Sequence, residues 1–370
     1  MRTVKLVSLG LSMVLVLVFS FTLVASAKAP ASSSQTYTVM VGMENPHRGV
    51  EVMAYFPYSV TIHVGDTIHW VQNSNEIHTV TFLDGAEPPP LIITAEELGV
   101  PSTPSPLLFN PAAVNPAVPT DGRYDGTGFV NSGLMGREAG QFREFTLTFT
   151  EEGTYDYMCL VHGFAMSGEI VVVGQGEHLS SPNQSMAQGR EEMAEQLAKV
   201  PAVVREANKS IEPPIMNDDG GMTHRVMIGY ADGQIELMQF FPDRLVVRPG
   251  DTVVWEMSAH NNAPHTVTFL NGAAEPDLVI AVPQSSGPPL LYANPATFFP
   301  YPDYPPTLVL TRDGIYNSGV MNPIPGTSYT LSIGDMTPGL EPFVCLLHNE
   351  SGMKGTLIVV PAEGNTEMLQ

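Results

Sequence analysis

The feature that most constrains this chain is that its pattern is written twice. Phe56-Pro-Tyr-Ser-Val-Thr-Ile-His-Val-Gly-Asp-Thr-Ile-His-Trp70 aligns without a gap to Phe241-Pro-Asp-Arg-Leu-Val-Val-Arg-Pro-Gly-Asp-Thr-Val-Val-Trp255. The match continues through His78-Thr-Val-Thr-Phe-Leu-Asp-Gly85 and His265-Thr-Val-Thr-Phe-Leu-Asn-Gly272, then Asn131-Ser-Gly-Leu-Met135 and Asn317-Ser-Gly-Val-Met321. Whatever fold one copy takes, the other is expected to take as well. Apolar residues alternate on both sides of Gly65-Asp66 and of Gly250-Asp251, which reads as two strands joined by a tight turn. Many short strands, Gly and Pro turns and no helical pattern inside either copy predict an all-β chain. The expected architecture is two tandem Greek-key β-sandwich domains, over 36–174 and 222–361.

The remaining segments are assigned by composition and period. Between the copies, 175–221 reads as a linker. Met186, Met193, Leu197 and Val200 there share a helical face until Pro201 interrupts it, so a short amphipathic helix is expected. Each copy also carries a Pro-rich insertion before its Asn-Ser-Gly motif, with Pro88-Pro-Pro90 and Pro101 to Pro104 in the first, Pro288-Pro289 and Pro300 to Pro302 in the second. Loops of this length serve either as functional covers and docking surfaces or as rigid layers on their own sandwich.

The chemistry lies in two matching segments, Cys159-Leu-Val-His162-Gly-Phe-Ala-Met166 and Cys345-Leu-Leu-His348-Asn-Glu-Ser-Gly-Met353, which hold both cysteines of the chain. Each copy thus offers a strand-opening histidine followed by Cys, His and Met: His78, Cys159, His162 and Met166, then His265, Cys345, His348 and Met353. Thiolate, imidazole and thioether form a soft donor set that suits copper better than magnesium, calcium or a hydrolytic zinc. Two imidazoles and a thiolate with a weak axial thioether let copper change oxidation state with little change of geometry, which is what one-electron transfer needs. The matching Cys-x-x-His context argues against a disulfide between the two cysteines.

With these motifs in view, both copies resemble cupredoxins, the blue copper domains of the plastocyanin, azurin, amicyanin and halocyanin group. The resemblance rests on Gly-Asp-Thr plus Trp, on His-Thr-Val-Thr-Phe and on the Cys-to-Met loops, and it leaves out only the linker and the insertions. It implies an eight-stranded sandwich with copper at one end, two type 1 copper ions per chain, and exchange of electrons through the solvent-facing edge of His162 or His348. Cys345, His348 and Met353 follow the Cys-x2-His-x4-Met spacing of plastocyanins, whereas Met166 comes one residue early. Thr79 and Thr266 stand where plastocyanins usually have Asn, a position that ties the two ligand loops together.

Tandem cupredoxin domains also occur in nitrite reductases and multicopper oxidases, whose catalytic copper needs extra imidazoles. Here Met158 and Val344 precede the cysteines, and no His-x-His pair occurs. An enzyme is therefore disfavoured. A copper storage or delivery protein is the other alternative, prompted by the 19 methionines, though Met40, Met53, Met227 and Met238 lie in strand-like runs where core packing explains them.

Arg2, Lys5, the uncharged run from Leu6 to Val24 and Ala25-Ser26-Ala27 form the pattern of a signal peptide over 1–27. Export to the periplasm or the outer face of the cytoplasmic membrane follows, with membrane association only if that segment is retained. A net charge of -22 argues against nucleic acid and suits a redox partner with a basic docking face, in a membrane electron-transfer chain.

Overall fold

Both copies fold as sandwiches, and they share a sheet. The computed structural model describes residues 33–45, 49–99, 106–136, 141–302 and 308–362, so the signal read over 1–27 lies outside the described residues. In the first copy, Thr36–Asn45 lies antiparallel to Val50–Phe56 and parallel to Thr67–Gln72, with Glu144–Phe149 beyond. Facing them, a five-stranded sheet runs in the order Ser59–His63, Gly163–Val173, Gly153–Cys159, Thr81–Phe82, Val130–Asn131. The second copy repeats this arrangement. Met222–Asp232 lies between Ile235–Phe241 and Thr252–Met257, opposite a sheet ordered Arg244–Val247, Lys354–Val359, Gly339–Val344, Thr268–Phe269, Tyr316–Asn317.

The seam is an antiparallel pairing of Val50–Phe56 with Ile235–Phe241, in the register Val50↔Leu237, Glu51↔Glu236 and Val52↔Ile235. It joins strands of both copies into one 11-stranded sheet. Pairing covers two strand edges that would otherwise present unpaired backbone groups. Inside each sandwich the tryptophan of the Gly-Asp-Thr motif is fully buried, and Trp70 and Trp255 meet Phe82 and Phe269 edge-on with ring centroids 5.9 and 5.7 Å apart.

The Gly-Asp turns do not make hairpins. Ser59–His63 and Thr67–Gln72 belong to different sheets, so the turn is the corner at which the chain crosses the sandwich. Gly65 and Gly250 take φ of 93° and 92°, a region that glycine enters without steric cost. The Asp66 carboxylate accepts the His63 amide (3.0 Å) and the Gln35 amide (2.7 Å), tying the corner to the first strand. Asp251 does the same with Arg248 and Met222, both at 2.9 Å.

Two connections differ from expectation. The linker helix is long, Pro182–Lys209, starts in a capping box formed by Ser181 and Gln184, and continues through Pro201. Proline in a helix interior removes one hydrogen bond and crowds the preceding turn, at a cost of about 3 kcal/mol. Here that cost is offset by burial across the seam: Val200, Val203 and Ala207 pack on Val50, Val52 and Phe56 of the first copy and on Ile235, Leu237 and Phe241 of the second. Of the expected helical face, Val200 is buried and Met193 half-buried, whereas Leu197 points outward at 42% exposure.

The insertions are neither free covers nor layers on their own sandwich; they pair with each other. Ile92–Thr94 and Leu107–Phe109 of the first copy join Val279–Val282 and Leu290–Ala293 of the second in a four-stranded sheet, through Tyr292↔Leu108. Phe109 and Phe298 meet edge-on, and Leu160, next to Cys159, packs into the same apolar cluster. Among the described residues no helix is long and apolar enough to cross a membrane.

Candidate metal centres

Each first histidine is fixed at its backbone before its side chain does anything. His78 exchanges both backbone hydrogen bonds with Met135 of the Asn-Ser-Gly-Leu-Met segment, at 2.9 and 2.7 Å, and His265 does so with Met321, at 3.0 and 2.8 Å. The threonine that follows then ties this strand to the cysteine loop. Thr79 Oγ1 accepts the Leu160 amide (2.8 Å) while the Thr79 amide points at Cys159 Sγ (3.3 Å). Thr266 makes the same pair of contacts with Leu346 (2.7 Å) and Cys345 (3.3 Å), which is the role expected of these hydroxyls. Asn131 and Asn317 extend the frame, each accepting a threonine hydroxyl (Thr81, 3.0 Å; Thr268, 2.9 Å) and donating to carbonyls of the one-turn helices Pro111–Val114 and Pro295–Phe298 that the insertions contain.

Within that frame Cys, His and His converge in both copies, with His78, Cys159 and His162 in one and His265, Cys345 and His348 in the other. In the first, the two Nδ1 atoms are 3.2 Å apart and lie 4.0 Å (His78) and 3.5 Å (His162) from Cys159 Sγ. In the second, the corresponding separations are 3.0, 3.8 and 3.5 Å. An ion bonded at about 2.0 Å to each imidazole and about 2.3 Å to the thiolate would hold trigonal donor atoms roughly 3.5–3.7 Å apart. The observed separations, 3.0–4.0 Å, bracket that spacing, with the imidazole nitrogens closer together than an ion would hold them, and the donor chemistry fits copper. Met166 and Met353, on the same loops, are both fully buried. In the second loop the Met353 amide donates to His348 O and the Cys345 amide to Met353 O, each at 3.1 Å, so the loop closes on itself.

The electrostatics prepare the donors. Burial resists ionisation of Cys159, but the hydrogen bond and charge of His78 and the Thr79 amide outweigh it and hold the thiol below its ordinary value. In the same way His348 and the Thr266 amide lower Cys345 against its burial. Burial keeps His78 and His265 neutral to lower pH than usual. Neutral imidazoles and ready thiolates are the forms that bind metal. The outer histidines diverge: at His162 burial outweighs the charge of Glu76 and brings it down to about 4, whereas for His348 burial is overcome by Glu76, Cys345 and Glu236, which raise it to about 9.

Several supporting residues carry no local sequence signal. His78 Nε2 is 3.0 Å from Ser74 Oγ, and His265 Nε2 is 3.2 Å from Asn261 Oδ1, so each ring is fixed with Nδ1 toward the thiol. Gly42 and Gly229 leave room for these rings: a Cβ on either would approach the Nε2 atom to 2.5 or 2.6 Å. Ser74 and Asn261 each lie four positions before the first histidine, a coincidence that the repeat alignment contains. The solvent-facing edge expected at His348 is absent: His348 is buried, with Glu76 of the other copy 3.8 Å from its Nε2. Leu160 and Leu346 are buried as well, Val161 and Leu347 half-buried, and Phe164, 70% exposed, is the large apolar group these loops present to solvent.

The other described histidines stand apart from both centres. His69 pairs with Glu144 at 3.2 Å, His224 with Asp251 at 3.1 Å, and His63 with the Glu177 carbonyl at 3.0 Å. His47 lies outside the described residues.

No known protein-family model matches the chain. Among solved structures it is similar to amicyanin. A methionine variant in the Cu(I) form is 22% identical over 37% of this chain and 82% of that one, with a TM-score of 0.22. A second Cu(I) variant is 22% identical over 39% and 87%, again with a TM-score of 0.22. At such scores the likeness decides nothing about this chain.

Proposed function

We propose that this protein is a one-electron carrier built as a tandem cupredoxin, with one type 1 copper centre in each copy. The observation that carries the reading is the duplicated, buried triangle of two Nδ1 atoms and one Sγ, with every separation between 3.0 and 4.0 Å. In this reading His78, Cys159 and His162, with Met166, would hold one copper ion, and His265, Cys345 and His348, with Met353, would hold the other. Bound copper supplies a reversible one-electron couple. The chain's own residues hold the donor atoms in place, through the Thr79 and Thr266 ties and the Ser74 and Asn261 contacts, and the surrounding core keeps bulk water from the thiolates.

The chain acts outside the cytoplasmic membrane, in the periplasm or on the membrane's outer face. Its acidity supports steering toward a basic redox partner, with the neighbourhood of Phe164 as one place of contact. Metal analysis of the purified chain tests the reading: two copper ions per chain are expected, and one or none contradicts it. Nitrite or phenol turnover well above that of free copper would instead favour the enzyme alternative.

A further inference from the structure

We propose that Glu76, a residue of the first copy, sets the redox balance of the centre in the second copy, holding it at the lower potential and making the two centres unequal. The inference rests on the copper reading of those centres.

The geometry is specific. His348 presents Nδ1 to Cys345 Sγ at 3.5 Å, and Glu76 Oε2 lies 3.8 Å from the opposite ring nitrogen, Nε2. That distance is beyond a hydrogen bond and inside ion-pair range. The carboxylate is held there: its Oε1 accepts a buried hydrogen bond from Ser351 Oγ of the second copy at 3.0 Å, and its backbone carbonyl accepts Gln72 Nε2 at 2.6 Å. Glu76, His348 and Ser351 are all buried, so little solvent screens the interaction.

The repeat provides the contrast. Two positions before the first histidine stands Glu76 in one copy and Ala263 in the other. His162 lines a small cleft with Ala263, Asn262 and Glu236 of the second copy. Glu236 there is engaged by Asn262, accepting its backbone and side-chain N–H groups at 3.3 Å each. Glu76 bears on His162 too, but among the described ion pairs no carboxylate lies within ion-pair distance of His162, as Glu76 does of His348 Nε2. A carboxylate in ion-pair range of the outer N–H polarises a ligating imidazole by its charge, without a hydrogen bond, and makes it a more basic donor. Negative charge close by in a water-poor setting also favours the more highly charged oxidation state. Both effects lower the potential. The couple gains one electron on reduction and loses one on oxidation, with no bond in the chain made or broken; in the titration below a small inorganic reductant and oxidant supply and remove it.

The test is a spectroelectrochemical titration of the copper-loaded full chain. Cys159→Ser isolates the second centre and Cys345→Ser isolates the first. With the second centre isolated, Glu76→Gln is expected to change the ratio of its affinities for the two oxidation states by about tenfold, which raises the midpoint by about 59 mV for one electron. Glu76→Asp keeps the charge and returns the midpoint most of the way. With the first centre isolated, Glu76→Gln moves the midpoint less. An unchanged second midpoint, or equal shifts at both centres, overturns the inference and leaves the copper reading intact. A chain that takes up no copper overturns both. If the Gln variant does not load its second centre, Glu76→Ala carries the test, because it removes the carboxylate altogether: an upward shift is expected, and no shift overturns the inference.

Discussion

The first and second centres present the same three donors at nearly the same separations, yet their outer histidines end in different surroundings. His162 borders a cleft at the seam, whereas His348 is closed off by Glu76 from the other copy. The loops differ as well, with Met166 one residue earlier than Met353 relative to its histidine. The comparison teaches that a repeat fixes what it repeats, the donor triangle and its ties, while asymmetry enters where the copies touch. Packing side by side puts each outer histidine against residues of the other copy, and those residues are free to differ.

The largest expected effect separates the centres altogether. Cys159→Ser should take the copper content from two ions per chain to one and remove the first centre's share of the intense visible absorption, with Cys345→Ser doing the reverse. If either variant loses both ions, the centres are not independent and the comparison fails.

Next come the glycines behind the first histidines. Gly42→Ala and Gly229→Ala force a methyl against His78 or His265, at positions with φ of 69° and 63°. Each is expected to lower copper affinity in its own copy by about tenfold or more, measured by competition with a chelator. A loss in the other copy would point to coupling through the seam.

Smaller is the effect of Thr79→Val and Thr266→Val. Each leaves a buried loop amide, that of Leu160 or Leu346, without its acceptor, which should destabilise the fold by about 1–3 kcal/mol in urea denaturation. Equal costs in both copies would confirm that this part of the frame is shared. Smallest is Asn261→Ser, which gives the second histidine the partner that the first already has. It should leave copper content at two per chain and change the affinity of the second centre by less than the glycine variant does, in the same chelator competition.

How much of this was legible beforehand follows from what repetition can reveal. The all-β class and the donor trios come from patterns present in both copies, and a feature that recurs in register carries its own control; the tie through Thr79 and Thr266 comes from the resemblance to plastocyanins. The seam was not legible, because Val50–Phe56 and Ile235–Phe241 look like any half-buried strands until they meet. Nor was the helix beyond Pro201, since local propensity ends it there and only burial on two copies at once carries it to Lys209. The insertions read as loops because the strands within them find partners only in each other. Glu76 read as one acid among 38 Asp and Glu, with nothing in its neighbours to say that a histidine from the other copy would lie beside it.

The central claim, two copper centres in one electron carrier, is tested most directly by a redox titration of the copper-loaded chain followed at the thiolate-to-copper absorption. Two copper ions per chain and two reversible one-electron steps at different potentials are expected, the lower one lost in Cys345→Ser. Fewer than two ions, no intense absorption, or a single step that survives Cys345→Ser unchanged would contradict that claim.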